Sequence, residues 1–237
     1  MSRPHNFSFR LAVATLCCTA GLAMAQVAPS VSLADQMRGM LNKPGAPATA
    51  APSFSPAPAV TSASALAALN APIVVNGPAQ LRQSATELAQ RFPAAQRSAM
   101  TKAYEESFIF WQKLETQLGL TPNDVAAGVA AFIAGNYTAF MQQPVPDENF
   151  KSLVLQMQGM LKQNAAFTQS SPAAKRAMFE QLAMVGTFMV VYREHLNQKP
   201  NPNEEVNFRN AAKANLEAAL GLGVERIQIG PQGLVAR

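Results

Sequence analysis

The chain has 237 residues, with 19 Lys+Arg against 14 Asp+Glu and a formal charge of +5; 49% is hydrophobic, only 7% aromatic and 14% charged. The charged fraction lies well below the roughly 25% of an average soluble domain, and alanine supplies much of the apolar count, which favours helices over a bulky core. Two cysteines, two histidines and one tryptophan leave few groups for metal or nucleophile chemistry. No Lys/Arg run occurs, so a nucleic-acid footprint is not expected.

Arg3 and Arg10 form a positive start with no acidic residue nearby, and Leu11 to Leu22 is a short apolar stretch. Ala23-Met24-Ala25 follows as an A-x-A cleavage site before Gln26, the pattern of a secretory signal peptide over residues 1–25. The apolar stretch is shorter than the roughly 20 residues that span a bilayer. Cys17 and Cys18 lie within it. A lipoprotein reading needs small residues just before the cysteine, and Thr15-Leu16 fits that poorly. Cleavage after Ala25 removes both cysteines, so a disulfide, a thiolate nucleophile and a Cys-ligated zinc are all excluded from the mature chain. Loss of Arg3 and Arg10 takes the charge of +5 down to +3. The expected location is periplasmic or secreted, in a Gram-negative bacterium.

Residues 26–41 hold a short amphipathic piece, with Leu33, Met37, Met40 and Leu41 at helical spacing. Leu33, Met37 and Leu41 are a candidate docking segment for a partner, although a helix this short has little intrinsic stability. Residues 42–78 carry seven prolines (44, 47, 52, 56, 58, 72 and 78). Proline fixes φ and removes donors, so this stretch reads as an extended Pro/Ala/Ser-rich linker.

From residue 79 to 237 the pattern predicts one helical domain. A first helix runs from Pro78 to Phe92, with Leu81, Ala85, Leu88 and Phe92 on one face. A second opens at Pro93 and ends at Leu118 before Gly119, its apolar face being Met100, Tyr104, Phe108, Trp111 and Leu114. Thr121-Pro122-Asn123-Asp124 predicts a hydroxyl cap, a proline at the first position and a carboxylate at the third. Val125, Val129, Phe132, Ile133, Tyr137 and Phe140 follow at helical spacing. Asp147 is the expected cap of a helix carrying Phe150, Leu153, Val154, Met157, Met160 and Leu161. Ser171-Pro172 opens a helix to about Asn197, in which only Glu180, Gln181 and Thr187 interrupt the apolar run from Met178 to Tyr192. Such a helix is apolar all round and is expected at the centre of a bundle. Asn203-Glu204-Glu205 is expected to cap a last helix that Gly221 stops. Val224, Ile227 and Ile229 then alternate in a short extended tail. The expected class is all-α, a bundle of about six helices.

Little here supports catalysis. His195 sits near a helix C-terminus, where the helix dipole accounts for a basic side chain, and no spacing supplies it with co-ligands. Glu105-Glu106 and Glu204-Glu205 are adjacent pairs, and neighbours on a helix point about 100° apart, so neither pair converges on one site. Met157, Met160, Met184 and Met189 fall on apolar faces, where core filling is the default over a soft-metal site. No phosphate loop, nucleophile elbow or Walker pattern occurs, and no cofactor is expected.

Three segments carry a family likeness: Leu120-Thr121-Pro122-Asn123-Asp124-Val125-Ala126, the late helix Asn207 to Leu220, and the ending with Gly221, Gly223, Ile227, Ile229, Gly233 and Leu234. Across about Ala79 to Val235 the chain resembles an uncharacterised family of secreted, mostly proteobacterial helical proteins, classed as a domain of unknown function. The resemblance implies an exported all-α domain behind a variable Pro/Ala-rich leader, and it transfers no catalytic residues. The leading expectation is a non-enzymatic protein-interaction module that meets another envelope or secreted protein. The rivals are a carrier of a small hydrophobic ligand between helices and a hydrolase built on Glu105, Glu106 and His195.

Overall fold

The computed structural model describes residues 71–237 together with Leu33, Met37 and Arg38. The expected signal cleavage at Ala23, Ala25 and Gln26, the docking residue Leu41 and linker residues 42–70 lie outside the described residues. Among the described residues the fold is all-α with a small C-terminal hairpin. Seven α-helices follow in order: α1 (Leu81–Ala89), α2 (Ala94–Leu118), α3 (Val125–Met141), α4 (Asp147–Gln163), α5 (Ala165–Thr168), α6 (Pro172–Gln198) and α7 (Pro202–Leu220). A 3-10 turn (Val224–Arg226) leads into β1 (Ile227–Gly230) and β2 (Gly233–Ala236).

The predicted stops hold. Gly119 and Gly221 end α2 and α7 at φ 67° and 66°, the left-handed conformation that glycine adopts without a Cβ clash. Ser171 accepts from the Ala174 N–H at 3.2 Å, with Pro172 in the first turn. Three predicted starts shift. Asn123 takes φ 62°, so the chain turns there and Asp124, not Thr121, becomes the cap of α3, accepting from Ala126 N–H at 3.1 Å. Asp147 makes no cap hydrogen bond; Pro146 occupies the cap position and Asp147 lies in the first turn of α4. Asn201, before Pro202, caps α7 by accepting from Glu204 N–H, which leaves Glu204 and Glu205 to complement the dipole in the first turn. The short helix α5 has no counterpart among the predicted elements; Asn164 caps it by accepting from Phe167 N–H at 2.9 Å.

Two helices share the centre, where α6 alone was expected. α3 is buried on nearly every side, and its interface with α6 is the most extensive in the fold. Small residues make this possible. A Cβ on Gly135 would lie 2.1 Å from the Gly186 carbonyl oxygen, and one on Gly186 only 2.2 Å from the Ala131 oxygen. Two turns earlier, Gly128 packs against Phe179. The matched seven-residue steps mean that α3 and α6 run parallel. α1 and α2 pack on α6, while α4 and α7 pack on α3. An aromatic row ties the periphery to the centre: Tyr104 of α2, Phe188 and Tyr192 of α6, and Phe208 of α7, with successive ring centroids 5.3, 5.6 and 5.2 Å apart. On the α3–α7 side, buried Asn215 donates to Asn136 Oδ1 at 2.9 Å, and Asn136 donates to the Phe132 carbonyl at 2.8 Å.

The tail pairs as a hairpin with Ile229 opposite Leu234 and lies against α4. Gln156 of α4 reads its backbone twice, donating to the Leu234 carbonyl at 2.8 Å and accepting from the Leu234 N–H at 2.7 Å. Ile227, Ile229 and Leu234 point inward and are buried.

The folded body reaches further towards the N-terminus than residue 79. Val75 is buried, its N–H donates to the Asn123 carbonyl at 3.1 Å, and the Ile73 carbonyl accepts from Val125 N–H at 3.0 Å. The last residues of the expected linker thus form a strap across the start of α3. Leu33 and Met37 are also buried, 1% and 0% exposed, within the core of the helical domain. Arg38 lies over Gly221, its guanidinium 2.9 Å from where a Cβ would sit. These residues pack on their own chain, whereas the sequence pattern offered Leu33 and Met37 to a partner.

Candidate binding cleft

The strap is held by a buried polar knot. The Asp124 carboxylate accepts at one oxygen from Ile73 N–H at 3.0 Å and Ala126 N–H, and at the other from the Gln158 amide at 2.6 Å. Arg176 of α6 donates to Asn123 Oδ1 at 2.8 Å and to the carbonyls of Val75 and Gly77 at 3.0 and 2.7 Å. Its Nε lies 3.9 Å from Glu180. The fully buried Glu180 carboxylate in turn accepts from Gln80 N–H at 2.9 Å and the Ser84 hydroxyl at 2.7 Å, at the N-terminus of α1. Glu115 is the third buried carboxylate of the group. Burial pushes its carboxyl up to about 7, opposed by the Asn123 backbone N–H and the Trp111 indole, reinforced by the Asp124 charge and relieved by Arg176. Together these hydrogen bonds hold residues 73–77 across the start of α3.

A different region is open. A cavity of about 250 Å³ lies between α2, the start of α4 and the α3–α6 crossing. Trp111, Leu114, Phe150 and Val190 form its apolar walls, and Ala131, Ala134, Gly135 and Gly186 form a floor with little side-chain bulk. The close approach of the two glycines thus creates both the crossing and the recess beside it. Half-buried Leu114 and Leu118 and exposed Pro144 put its mouth at the surface.

Thr138, Asp147, Thr187, Arg193 and Glu194 add polar groups to its lining. The Thr187 hydroxyl, on a side chain 3% exposed, has no hydrogen-bond partner. Arg193 is anchored by its Nη2, which donates to the Gln142 carbonyl at the end of α3, while its buried Nε is unbonded. Burial holds the guanidinium below its ordinary value against the pull of the Glu194 and Glu205 carboxylates. Asp147 is half-buried in the first turn of α4. Buried polar groups without partners are uncommon in folded proteins, and among the described residues Trp111 Nε1, Glu115 Oε1, Gln158 Oε1 and Arg176 Nε, in and beside the knot, share this state. A wider recess of about 540 Å³ between α1 and α6 lacks this feature; Gln181 and Glu87, on its walls, bond to each other at 2.8 Å.

The residues weighed for catalysis do not meet. Glu105 pairs with Arg82 and Glu106 with Lys102, both at the surface of α2, while Glu204 accepts from the Tyr192 hydroxyl and Glu205 from the Gln142 amide. His195 lies in the last turn of α6 with its ring 5.7 Å from that of Tyr192. Met157, Met184 and Met189 are core residues, and Met160 packs partly buried against them. No group of three metal-ligating side chains occurs among the described residues, and no described helix is long and apolar enough to cross a membrane. Sequence reading missed Thr187 and Arg193 as site residues, although Thr187 stood out as one of three polar residues in an otherwise apolar helix.

No match to the chain was found among curated proteins or among solved structures. A family model does match, over residues 9–237, well beyond the span from Ala79 to Val235 that carries the resemblance, and it takes in the segment around Leu33 and Met37. The chain belongs to the family of unknown function DUF6683.

Proposed function

We propose that this protein is a non-enzymatic binding domain of the cell envelope, exported by its N-terminal signal, that holds a small and mostly apolar ligand in the cleft between α2, α3, α4 and α6. The observation that carries the reading is a cavity of about 250 Å³ open to the surface, with apolar walls of Trp111, Leu114, Phe150 and Val190 and with Thr187, Arg193 and Asp147 among its lining residues. Binding sites of this kind are largely preformed and apolar, with a few placed polar groups that fix orientation. The volume falls below the roughly 300–1,000 Å³ that suits drug-sized ligands, so the occupant is small, on the order of a dozen non-hydrogen atoms. A protein-docking role for residues 26–41 has less support, because Leu33 and Met37 are covered by the core of their own domain.

Native mass spectrometry of protein purified from the producing bacterium tests the reading. A bound small mass is expected on the wild-type chain and is expected to vanish in Val190→Trp, which fills the cleft. Bare protein mass in both, with circular dichroism showing both folded, would refute it.

A further inference from the structure

Asn76-Gly77 is the one Asn-Gly pair in the 237 residues, and it lies in the strap. The pairing has a chemical meaning. Asparagine is thermolabile because the backbone nitrogen of the next residue can attack its side-chain carbonyl carbon, and a following glycine has no Cβ to hinder that approach. The strap presents this pair to water: Asn76 is exposed, whereas Val75 before it is buried. Arg176 fixes Gly77 through its carbonyl, which accepts from Nη2 at 2.7 Å, so this bond does not engage the nitrogen that would attack.

The same dipeptide sits where a change in the main chain does most. Arg176 Nη2 bridges the carbonyls on either side of Asn76, Val75 at 3.0 Å and Gly77 at 2.7 Å. The backbone flanking this bridge is pinned on both sides. The Val75 N–H donates to the Asn123 carbonyl at 3.1 Å, and the Gln80 N–H donates to Glu180 at 2.9 Å. A main chain lengthened by one carbon between Val75 and Gly77 has no slack to take up between those pins. It bulges, and one of the two carbonyls is pushed off the guanidinium.

We infer that Asn76 is a site of spontaneous deamidation in the folded protein and that its isoaspartyl product releases the strap. The Gly77 N–H gives its proton to solvent base, and its nitrogen bonds to Asn76 Cγ. The side-chain amide nitrogen leaves as ammonia with a proton returned from water, which closes a succinimide ring. Water then opens the ring in one of two ways. Addition at Cγ gives aspartate with the main chain unchanged. Addition at the α-carbonyl carbon leaves Gly77 joined through Cγ, an isoaspartate whose main chain is one carbon longer. Water is the co-reactant throughout, and loss of ammonia to solvent makes the release irreversible.

The folded full chain is incubated in mildly alkaline buffer beside Gly77→Ala, and both are digested for mass spectrometry. Nothing lies within 4 Å of the Gly77 Cβ position, so this variant keeps the strap. The wild-type peptide holding Asn76 is expected to gain about one mass unit in two separable forms, of which an aspartate-specific protease cuts one and leaves the isoaspartyl form whole. Gly77→Ala is expected to convert at least about tenfold more slowly, because its Cβ crowds the attacking nitrogen. In the aged wild type the Val75 amide is expected to exchange its hydrogen faster, read by NMR, while α3 keeps its protection. Asn76→Asp carries the new charge without the extra carbon, and its Val75 amide is expected to exchange as slowly as in fresh protein. Conversion no faster in the wild type than in Gly77→Ala, or conversion only after urea has unfolded the chain, overturns the site. Conversion with unchanged exchange at Val75, or equal quickening in Asn76→Asp, overturns the release of the strap by the isoaspartyl product.

Discussion

The parallel crossing of α3 and α6 gives the sharpest test of the fold, through Gly135→Ala. The new Cβ would lie 2.1 Å from the Gly186 carbonyl oxygen and 2.7 Å from its carbon, both backbone atoms that no rotamer change can move. Carbon atoms pack best at about 3.5–4.0 Å, so the two helices would have to part by more than about 1 Å along their whole shared face. Overpacking a core costs about 1–3 kcal/mol, and a backbone clash belongs at the upper end. Alanine returns about 1 kcal/mol of helix propensity, leaving a net loss of about 2 kcal/mol. For a domain of this size that is a fall in Tm of about 4–8 °C. Gly159→Ala is the control: nothing lies within 4 Å of its Cβ position in α4, so the same exchange is expected to raise stability by about 0.5–1 kcal/mol. Urea unfolding followed by circular dichroism and Trp111 fluorescence reads both variants. Gly135→Ala as stable as Gly159→Ala would refute the close crossing.

Three further outcomes follow from the knot and the N-terminal residues. Glu115 keeps its proton up to about 7 when folded against an ordinary value of 4.5, so its own contribution to stability is full below pH 4.5 and is lost as pH rises through 7. The loss is on the order of 1–3 kcal/mol, and Glu115→Gln should flatten it across that window; an unchanged pH profile of urea midpoints in the variant would count against the assignment. Arg176→Met removes three hydrogen bonds to Asn123, Val75 and Gly77 and leaves Glu180 without its cation, for a loss of about 3–5 kcal/mol. Hydrogen exchange in residues 73–77 should quicken more than in α3, and equal quickening throughout would mean that the strap is not held by this arginine. Met37→Ala, at a fully buried position, should cost about 2–5 kcal/mol, whereas a solvent-facing docking residue would cost almost nothing.

The expectations that the structure upholds share a physical character. Gly119 and Gly221 end helices because a left-handed residue is a local requirement, and Ser171-Pro172 starts one because a cap and its acceptor lie three residues apart. The face of Met100, Tyr104, Phe108 and Trp111 is visible for the same reason: helical period is written in adjacent turns. The missed caps fail locally too, since Asn123 at φ 62° displaces the start of α3 towards Asp124.

Chain order and side-chain type by themselves determined the all-α class, most helix limits, the inward faces and the extended tail, because each rests on interactions within about one turn. Only the tertiary structure decided that Asp124 holds Ile73, 51 residues away, and that Arg176 holds Val75, 101 residues away. Only it decided that Leu33 and Met37 belong to the core and that Thr187, Arg193 and Asp147 line one cleft. Such pairs have no characteristic spacing: their partners are chosen by how the parallel α3–α6 core places distant segments. A cleft is likewise a property of the space between helices, which no single helix encodes.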